Sequence, residues 1–341
     1  MARLIPASFS DLAGWADDRH EEALSALARS CARLLSGSGN KADPWRRVCQ
    51  RALDPDALLD RFAARRFFEA SFSAYRVVPP NAGRGFLTGY YEPEIDGSLT
   101  PSAAFPVPLY RVPDDFGSRP YLTRAEIEAG GLAGRGLELV YLRDRVEAFF
   151  VHVQGSARVR LTNGRVMRVG FAAKNGHPYA SIGRVLIDRG AMSADEMTAE
   201  RLRRWLVAHP RQAGAVMEQN RSFIFFREIS VPDPTLGPVG AAGVHLTPGR
   251  SLAVDPSFHR LPTPIWIDAE IPGRDGRLRR FRQLTISQDT GSAIIGVARG
   301  DIFFGSGAAA GAQAGLIRHS GDFVVLLPKG MALPGWAAGA R

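Results

Sequence analysis

Short apolar segments separated by turn residues fill the C-terminal part of the chain, and they limit its possible folds more than any other feature. They lie between Val244 and Pro328 and read VHLTPG, IWIDAEIPG, FRQLTIS, DIFFG and FVVLLP. Short apolar runs bounded by glycine and proline are typical of β-strands. Several such runs in close succession predict a small β-barrel.

The N-terminal part of the chain has a different pattern. Apolar residues recur at helical spacing from Asp17 to Leu35 and again from Pro55 to Ala74. A turn-rich passage from Pro79 to Gly85 ends this block, and the remainder reads mostly as strands. We therefore expect an α+β fold that is mainly β, with an N-terminal helical region.

The middle of the chain contains one strand pattern and one helix pattern. The segment FFVHVQGSARVRL, from Phe149 to Leu161, alternates apolar and polar residues and is predicted to be a strand. A helix is predicted from Ser193 to Ala208, where Ser193 and Glu196 have the spacing of a capping box. The Pro/Gly-rich segment from Val231 to Gly243 has the composition of a crossing between domains.

Length and composition are those of an ordinary soluble protein with room for two domains, since 45% of the 341 residues are hydrophobic and 23% are charged. The longest apolar runs, such as FVVLLP, are far shorter than the roughly 20 residues of a membrane helix. Residues Met1 to Ser8 show no signal peptide. We expect a cytosolic chain, or one numbered after removal of a leader.

The net charge is +9, from 43 basic and 34 acidic residues, which favours anionic partners. The arginines are scattered in small groups, and no lysine tract or basic-aromatic pattern of a nucleic-acid module occurs. We expect solvated basic faces and no nucleic-acid binding, with a nucleic-acid binder as a minor alternative.

Cofactor and nucleophile motifs do not occur in the sequence, which has no P-loop, HExxH, GxSxG or suitably placed GxGxxG. The seven histidines lack metal-ligand spacing, so we expect no metal and no cofactor. Cys31 and Cys49 are the two cysteines. They would pair in an oxidising compartment and remain small buried side chains in a reducing one.

Carboxylates are the remaining candidates for chemistry. Asp301 lies beside Phe303 and Phe304, and apolar neighbours raise the pKa of a carboxyl group, so that it holds a proton near neutral pH. Aspartate next to glycine is also common in turns, which is the alternative for this segment. Glycosidases commonly use two carboxyl groups. The candidates outside helices and exposed tips are Glu92, Asp255, Asp268, Asp289 and Asp301.

Six ordered segments, spanning Phe86 to Lys329, resemble the membrane-bound lytic murein transglycosylase A family with its C-terminal 3D domain. They are LTGYYEPE from Leu87, HVQGSARVRL from His152, KNGHPYASIGRVLIDRG from Lys174, NRSFIFFRE from Asn220, GPVGAAGVHLTPGRSLAVD from Gly237 and QDTGSAIIGVARGDIFFGSG from Gln288.

This resemblance implies a double-psi β-barrel domain formed by residues 1–98 and 235–341. It also implies an inserted β domain, residues 99–234, with peptidoglycan glycan strands bound in a groove between the two. Family members cleave the β-1,4 bond between N-acetylmuramic acid and N-acetylglucosamine without water and leave 1,6-anhydromuramic ends. A chain of this kind needs no cofactor.

The resemblance also assigns site residues. The aspartates that name the 3D domain correspond to Asp255, Asp289 and Asp301, and the catalytic aspartate falls on Asp301. Asp301 would act as acid and then as base, Asp289 would hold the loop and tune Asp301, and Asp255 would be structural. Glu92 is discounted because family members can carry a non-acidic residue there. Sugar contacts are expected from Thr88, Tyr90 and Gln154, and less strongly from Tyr179 and Ser181.

Location, partners and rival functions follow from the same resemblance. We expect a periplasmic or cell-envelope monomer that acts on glycan strands, with peripheral or lipid-anchored membrane association in a full-length precursor. One rival is a hydrolase in which Asp301 is the acid and Asp289 or Glu92 activates water. Another is an inactive glycan-binding module.

Overall fold

The computed structural model describes residues 2–37, 43–54, 60–80, 83–117, 120–230 and 236–337. Within these residues the helices are α1 (His20–Ser36), α2 (Pro44–Ala52), α3 (Arg61–Ser71), α4 (Arg124–Glu126), α5 (Arg145–Gln154), α6 (Ile182–Asp188), α7 (Ala199–Ala208), α8 (Pro210–Met217) and α9 (Gly307–Ala314). The strands are β1 (Arg3–Ala7), β2 (Phe72–Val78), β3 (Gly85–Glu92), β4 (Glu94–Ser98), β5 (Val107–Tyr110), β6 (Glu138–Leu142), β7 (Ser156–Leu161), β8 (Val166–Lys174), β9 (Ile224–Glu228), β10 (Ser251–Val254), β11 (Pro264–Pro272), β12 (Leu278–Thr290), β13 (Arg299–Ser306) and β14 (Arg318–Pro328).

The chain divides into two compact units. The first consists of Met1–Tyr90, Val239–Gly305 and Leu316–Arg341, and the second of Tyr91–Pro238 and Ser306–Gly315. Each unit has its own sheet and its own buried apolar clusters.

The first unit contains a closed barrel. Its sheet has the strand order β1-β2-β14-β11-β12-β10-β13-β3, and a further pairing of β14 with β3 closes six of these strands into a ring. Closure removes the free strand edges that an open sheet exposes. The barrel confirms the prediction made from the short C-terminal segments. The combination of two β-sheets with N-terminal helices confirms the predicted α+β fold class. The segment VHLTPG is an exception, because the strand in this region is β10, a few residues later.

Helices α1, α2 and α3 pack on the barrel through a shared apolar cluster that includes Leu24, Trp45, Phe68 and Trp266. The helix predicted over Asp17 to Leu35 is α1. The second predicted helix is observed as α3, from Arg61 to Ser71, and residues 55–59 of that prediction lie outside the described ranges. Its predicted end at Ala74 was wrong, because strand β2 begins at Phe72.

Helix α2 was not predicted. It has nine residues, Pro44 at its first position and Asp43 as the cap, whose side chain accepts from the Trp45 amide. Proline at the first helical position and an aspartate N-cap are signals of a helix start. They are easily overlooked here because the segment is short and has few apolar residues.

A disulfide joins Cys31 of α1 to Cys49 of α2, which decides between the two alternatives that the sequence left open. The bond closes a loop with a sequence separation of 18. We expect the C31S/C49S variant to lose about 3 kcal/mol of unfolding free energy, because the bond restricts the unfolded chain. Urea denaturation of both proteins measures this difference, and equal midpoints would contradict it.

The second unit is built on a six-stranded sheet of order β5-β6-β4-β7-β8-β9. Its apolar cluster combines strand residues such as Leu142, Val159 and Val169 with Val151 of helix α5. The parallel pair β4–β7 and the antiparallel pair β7–β8 fix the register of the central strands.

The strand predicted from Phe149 to Leu161 is wrong in its first half. Helix α5 covers that part, since the Asp144 side chain caps the Glu147 amide. The helix ends at Gly155 with φ of 78°, and only then does β7 begin. A left-handed glycine is a common helix end. The apolar-polar alternation in VHVQ therefore belongs to a helix, whose Val151 is buried while Val153 is exposed.

The helix predicted from Ser193 begins later than expected. Helix α7 starts at Ala199, and the cap is Thr198, whose side chain accepts from the Arg201 amide. Ser193 does bond Glu196, with 3.0 Å between Oγ and Oε2, but this contact precedes the helix. Among the residues covered by the described ranges, no helix is long and apolar enough to span a membrane.

Candidate active site

Two aspartates of the barrel flank one residue of β10. Ala253 is paired with Asp289 of the parallel strand β12 on one side and with Asp301 of the antiparallel strand β13 on the other. Strands two positions apart in a sheet are about 10 Å apart, and directly paired residues point to the same face. Both carboxylates therefore lie on the same face of the sheet, at the same height along the strands, because both are paired with Ala253.

Strand β3 brings one hydroxyl to each aspartate. Thr88 and Tyr90 are two residues apart, so they share a face of the strand. Thr88 Oγ1 donates to Asp301 Oδ1 over 2.5 Å, and the Tyr90 hydroxyl donates to Asp289 Oδ2 over 2.9 Å. The Tyr90 ring also packs on Phe303, with 5.3 Å between the ring centroids.

The protonation of Asp301 is shifted toward neutral pH. Burial raises the pKa of its carboxyl group from 3.8 to about 6, and the nearby Asp289 charge also raises it, while the Thr88 hydrogen bond and the Arg299 charge lower it. Desolvation is thus the main cause, and like-charge repulsion from Asp289 is a smaller one. A carboxyl group with such a pKa is half-protonated near pH 6 and can donate or accept a proton there.

Asp289 is held as an acceptor. Its Oδ1 accepts from the amides of Ala241 and Thr290, each over 2.9 Å, and its Oδ2 accepts from Tyr90. Gly240 permits this approach, because a Cβ there would lie 2.6 Å from the Gln288 carbonyl oxygen. Burial raises the pKa of Asp289, and the three donors oppose that rise.

Asp255 connects β10 to the following loops. Its side chain accepts from the Ser257 amide over 3.0 Å and from the Gly296 amide over 2.8 Å. Burial acts to raise the pKa of this carboxyl group, but the Gly296 and Ser257 amides outweigh it and hold the pKa below its usual value. Its contacts are those of a carboxylate that fixes backbone geometry.

The other candidate acids form ion pairs. Asp268 on β11 accepts from Arg282 Nε over 3.1 Å. Glu92, in the second unit, is fully buried, with Oε1 2.7 Å from Arg168 Nε and Oε2 2.9 Å from Arg158 Nε. Both acids are therefore paired with arginine.

Three predicted sugar-contact residues lie in the second unit, and two of them, Gln154 and Ser181, have structural hydrogen bonds. Gln154 at the end of α5 accepts from the Tyr91 amide over 3.1 Å. Ser181 caps helix α6 by accepting from the Arg184 amide. Tyr179 is half-buried, and burial raises the pKa of its hydroxyl group.

Arg299 is a site residue that was not among the sequence predictions. Its Nη2 donates to Thr88 Oγ1 over 2.7 Å, which makes it part of the surroundings of Asp301. The spacing was the available signal, because residues 299 and 301 fall on the same face of one strand. Among the described residues, no group of three or more His, Cys, Asp or Glu side chains is suited to a metal ion.

Comparison with known proteins places this geometry in a family. Residues 86–227 match the model of the MltA specific insert domain, and residues 250–327 match that of the 3D domain. The crystal structure of a membrane-bound lytic murein transglycosylase from Agrobacterium tumefaciens is 35% identical, covers 96% of this chain and 98% of its own, and has a TM-score of 0.84. The chain belongs to the lytic murein transglycosylase A family.

Other members of the lytic murein transglycosylase A family are also similar. MltA from Neisseria gonorrhoeae is 32% identical, with coverage of 97% and 94% and a TM-score of 0.79. Escherichia coli MltA with bound chitohexaose is 29% identical, with coverage of 91% and 90% and a TM-score of 0.72.

Curated relatives carry the name membrane-bound lytic murein transglycosylase A. The Escherichia coli K12 protein is 36% identical over 253 residues and the Vibrio cholerae protein 34% identical over 243 residues. These alignments cover 72% and 70% of this chain but 66% and 64% of the relatives, so the chain spans slightly less than two thirds of their length. In this family member, the 3D match includes strands β10 to β14 and all three aspartates.

Proposed function

We propose that this protein is a lytic transglycosylase that cleaves the β-1,4 bond between N-acetylmuramic acid and N-acetylglucosamine in peptidoglycan. The observation that carries the proposal is the Asp301 carboxyl group, which has a pKa of about 6 and a hydrogen bond from Thr88. Family membership supports the substrate class, since a relative was solved with chitohexaose.

In the proposed reaction, protonated Asp301 gives its proton to the glycosidic oxygen while the bond from that oxygen to C1 of N-acetylmuramic acid breaks. The C6 hydroxyl of the same sugar then attacks C1, and its proton passes to the Asp301 carboxylate. Asp301 is thereby returned to its starting state, and the product is a 1,6-anhydro ring. Because the nucleophile is tethered, the step gains the large effective molarity of intramolecular reactions.

The contacts of the other acids favour this one-aspartate scheme over a hydrolase. Asp289 already accepts three hydrogen bonds, from Tyr90, Ala241 and Thr290, which occupy both oxygens and stabilise its charged form. Glu92 is fully buried between two arginines. Neither acid resembles a free base for activating water.

The product of digestion tests the proposal. Purified sacculi incubated with the protein in H2¹⁸O should release muropeptides that have 1,6-anhydromuramic ends and no ¹⁸O, as read by mass spectrometry. Reducing ends that carry ¹⁸O would instead indicate hydrolysis and overturn the transglycosylase.

The pH dependence of cleavage follows from the raised pKa of Asp301. The acid form is present below about pH 6 and is lost as the pH rises through that value. We therefore expect kcat/KM to fall about tenfold for each pH unit well above 6, as for a single required proton. Initial rates of anhydromuropeptide release from pH 4.5 to 8.5 measure this limb. A rate that rises throughout this range would contradict an acid with the proposed pKa.

The remaining predictions are part of the same proposal. Gln154, Tyr179 and Ser181 would also contact the glycan. The chain would fold as two domains, with residues 91–98 and 306–315 in the second unit and not in the barrel domain, to which the division at residues 98 and 235 assigned them. The protein would act as a monomer in the cell envelope, in line with the word membrane-bound in the names of its relatives. Its membrane association would be peripheral or through a lipid anchor.

A further inference from the structure

A guanidinium group is linked to the proposed acid through one hydroxyl. Arg299 Nη2 donates to Thr88 Oγ1 over 2.7 Å, and the same oxygen donates to Asp301 Oδ1 over 2.5 Å. All three residues belong to the first unit. They form a continuous chain of hydrogen bonds that ends on the carboxyl group.

Arg299 is fixed by further contacts of its own. Its Nη1 donates to the Gly300 carbonyl oxygen over 2.5 Å, and the guanidinium carbon lies 5.2 Å from the centroid of the Phe86 ring. The planar guanidinium carries several donors in a rigid fork and no acceptor. It can therefore bond Thr88 in one direction only, with the arginine as donor.

This direction determines where the threonine proton goes. A hydroxyl group has one proton and two lone pairs, and one lone pair of Thr88 is taken by Arg299. Of the two groups bonded to Thr88 Oγ1, only the Asp301 carboxyl group can accept a proton. Asp301 Oδ1 is thus held as an acceptor, and Oδ2 is left to carry the acidic proton.

We infer that Arg299 is a positioning residue that acts through Thr88 to keep the transferable proton of Asp301 on Oδ2. The inference deepens the proposed function and rests on Asp301 as its acid. Without the guanidinium group, the Thr88 hydroxyl can rotate and accept a hydrogen bond from a protonated Oδ1. The acidic proton of Asp301 would then lie on Oδ1, the oxygen that faces threonine, and not on Oδ2.

The electrostatics of the site agree with this arrangement. Burial raises the pKa of Asp301, while the Thr88 hydrogen bond and the Arg299 charge both lower it. A donor that is itself bonded to a cation is polarised and donates more strongly. Removing either Arg299 or Thr88 should therefore raise the pKa of Asp301.

A double-mutant cycle in the whole protein separates a relay through Thr88 from a direct charge effect. The proteins are wild type, R299M, T88V and R299M/T88V, and the first readout is the ¹³C titration of the Asp301 carboxyl carbon. We expect R299M and T88V each to raise the pKa of Asp301. The pKa shift caused by R299M should be less than half as large in the T88V background as in the wild type, because mutations of linked residues are not additive. An equal R299M shift in both backgrounds would refute the relay.

Kinetics give a second readout on sacculi. We expect R299M to lower kcat about tenfold, because the transferable proton of Asp301 would be misplaced. KM should stay within about twofold of the wild-type value. R299K keeps the charge but lacks the fork, so it should also lose kcat. T88S keeps the hydroxyl, so the R299M shift of the Asp301 pKa should persist in the T88S background. Wild-type kcat in R299K or R299M would overturn the inference. T88A, which also lacks the hydroxyl, replaces T88V in the cycle if the valine variant does not fold.

The two readouts also distinguish this inference from the proposed function. If the variant D301N retains turnover, Asp301 is not the acid and the proposed function fails. The carboxyl titration needs no turnover, so it still decides whether Arg299 acts on Asp301 through Thr88.

Discussion

Asp301→Asn is expected to abolish peptidoglycan cleavage while leaving glycan binding intact. The amide cannot give a proton to the glycosidic oxygen, and general acid catalysis contributes roughly 10²- to 10⁴-fold. The same aspartate would act again as base, so we expect a loss of at least about 10³-fold. The amide has nearly the shape of the carboxyl group, and its oxygen can still accept from Thr88.

The measurement combines release of anhydromuropeptides with sedimentation of the protein on intact sacculi. Asp268→Asn is the matched control, because Asp268 lies in the same barrel and is ion-paired to Arg282. The control variant should cleave at the wild-type rate. Appreciable turnover by D301N would exclude Asp301 as the acid. Glycan binding with no turnover by either the wild type or D301N would leave the inactive glycan-binding module as the better description.

The barrel could be predicted from the sequence because each of its last strands contains a short apolar segment. Strands β12 and β14 have 13 and 11 residues and extend beyond their apolar segments, FRQLTIS and FVVLLP, so the strand lengths could not be predicted in this way. Helix α5 could not be predicted in the same way, because the alternation in VHVQ fits a strand as well as a helix. Its signals were the cap at Asp144 and the left-handed Gly155, which lie outside the apolar pattern.

The candidate site was only partly visible in the sequence for a related reason. Asp289 and Asp301 could be recognised by their surroundings and by the family resemblance, but their pairing with a single residue, Ala253, depends on strand register. Thr88 is distant from Asp301 in sequence and reaches it because strand β3 is next to β13 in the sheet. Arg299 was not among the predicted site residues, because its contact with the site depends on that same neighbouring strand.

Glu92 was a tempting second acid in the sequence, and its surroundings indicate a structural role. Its carboxylate lies 2.7 Å from Arg168 Nε and 2.9 Å from Arg158 Nε, and it accepts from Ser306 Oγ over 2.7 Å. The side chain of Glu92 has no exposed area, and that of Arg168 is only 6% exposed. The buried Glu92 carboxylate thus pairs with two guanidinium groups inside the second unit, and Arg158 also lies 3.5 Å from Glu94 Oε1.

We expect Glu92→Gln to lower the unfolding free energy by about 3 to 5 kcal/mol, because it leaves buried arginine charge without a partner. Asp96→Asn is the matched control in the same unit, since Asp96 also pairs with two arginines, Arg143 and Arg160, whose side chains are 54% and 63% exposed. Exposed pairs contribute about 0 to 1 kcal/mol, so this variant should unfold nearly as the wild type does. Urea denaturation followed by circular dichroism compares the three proteins. If both variants unfold at the wild-type urea concentration, the Glu92 cluster does not stabilise the unit and the case for Glu92 as a purely structural residue is lost.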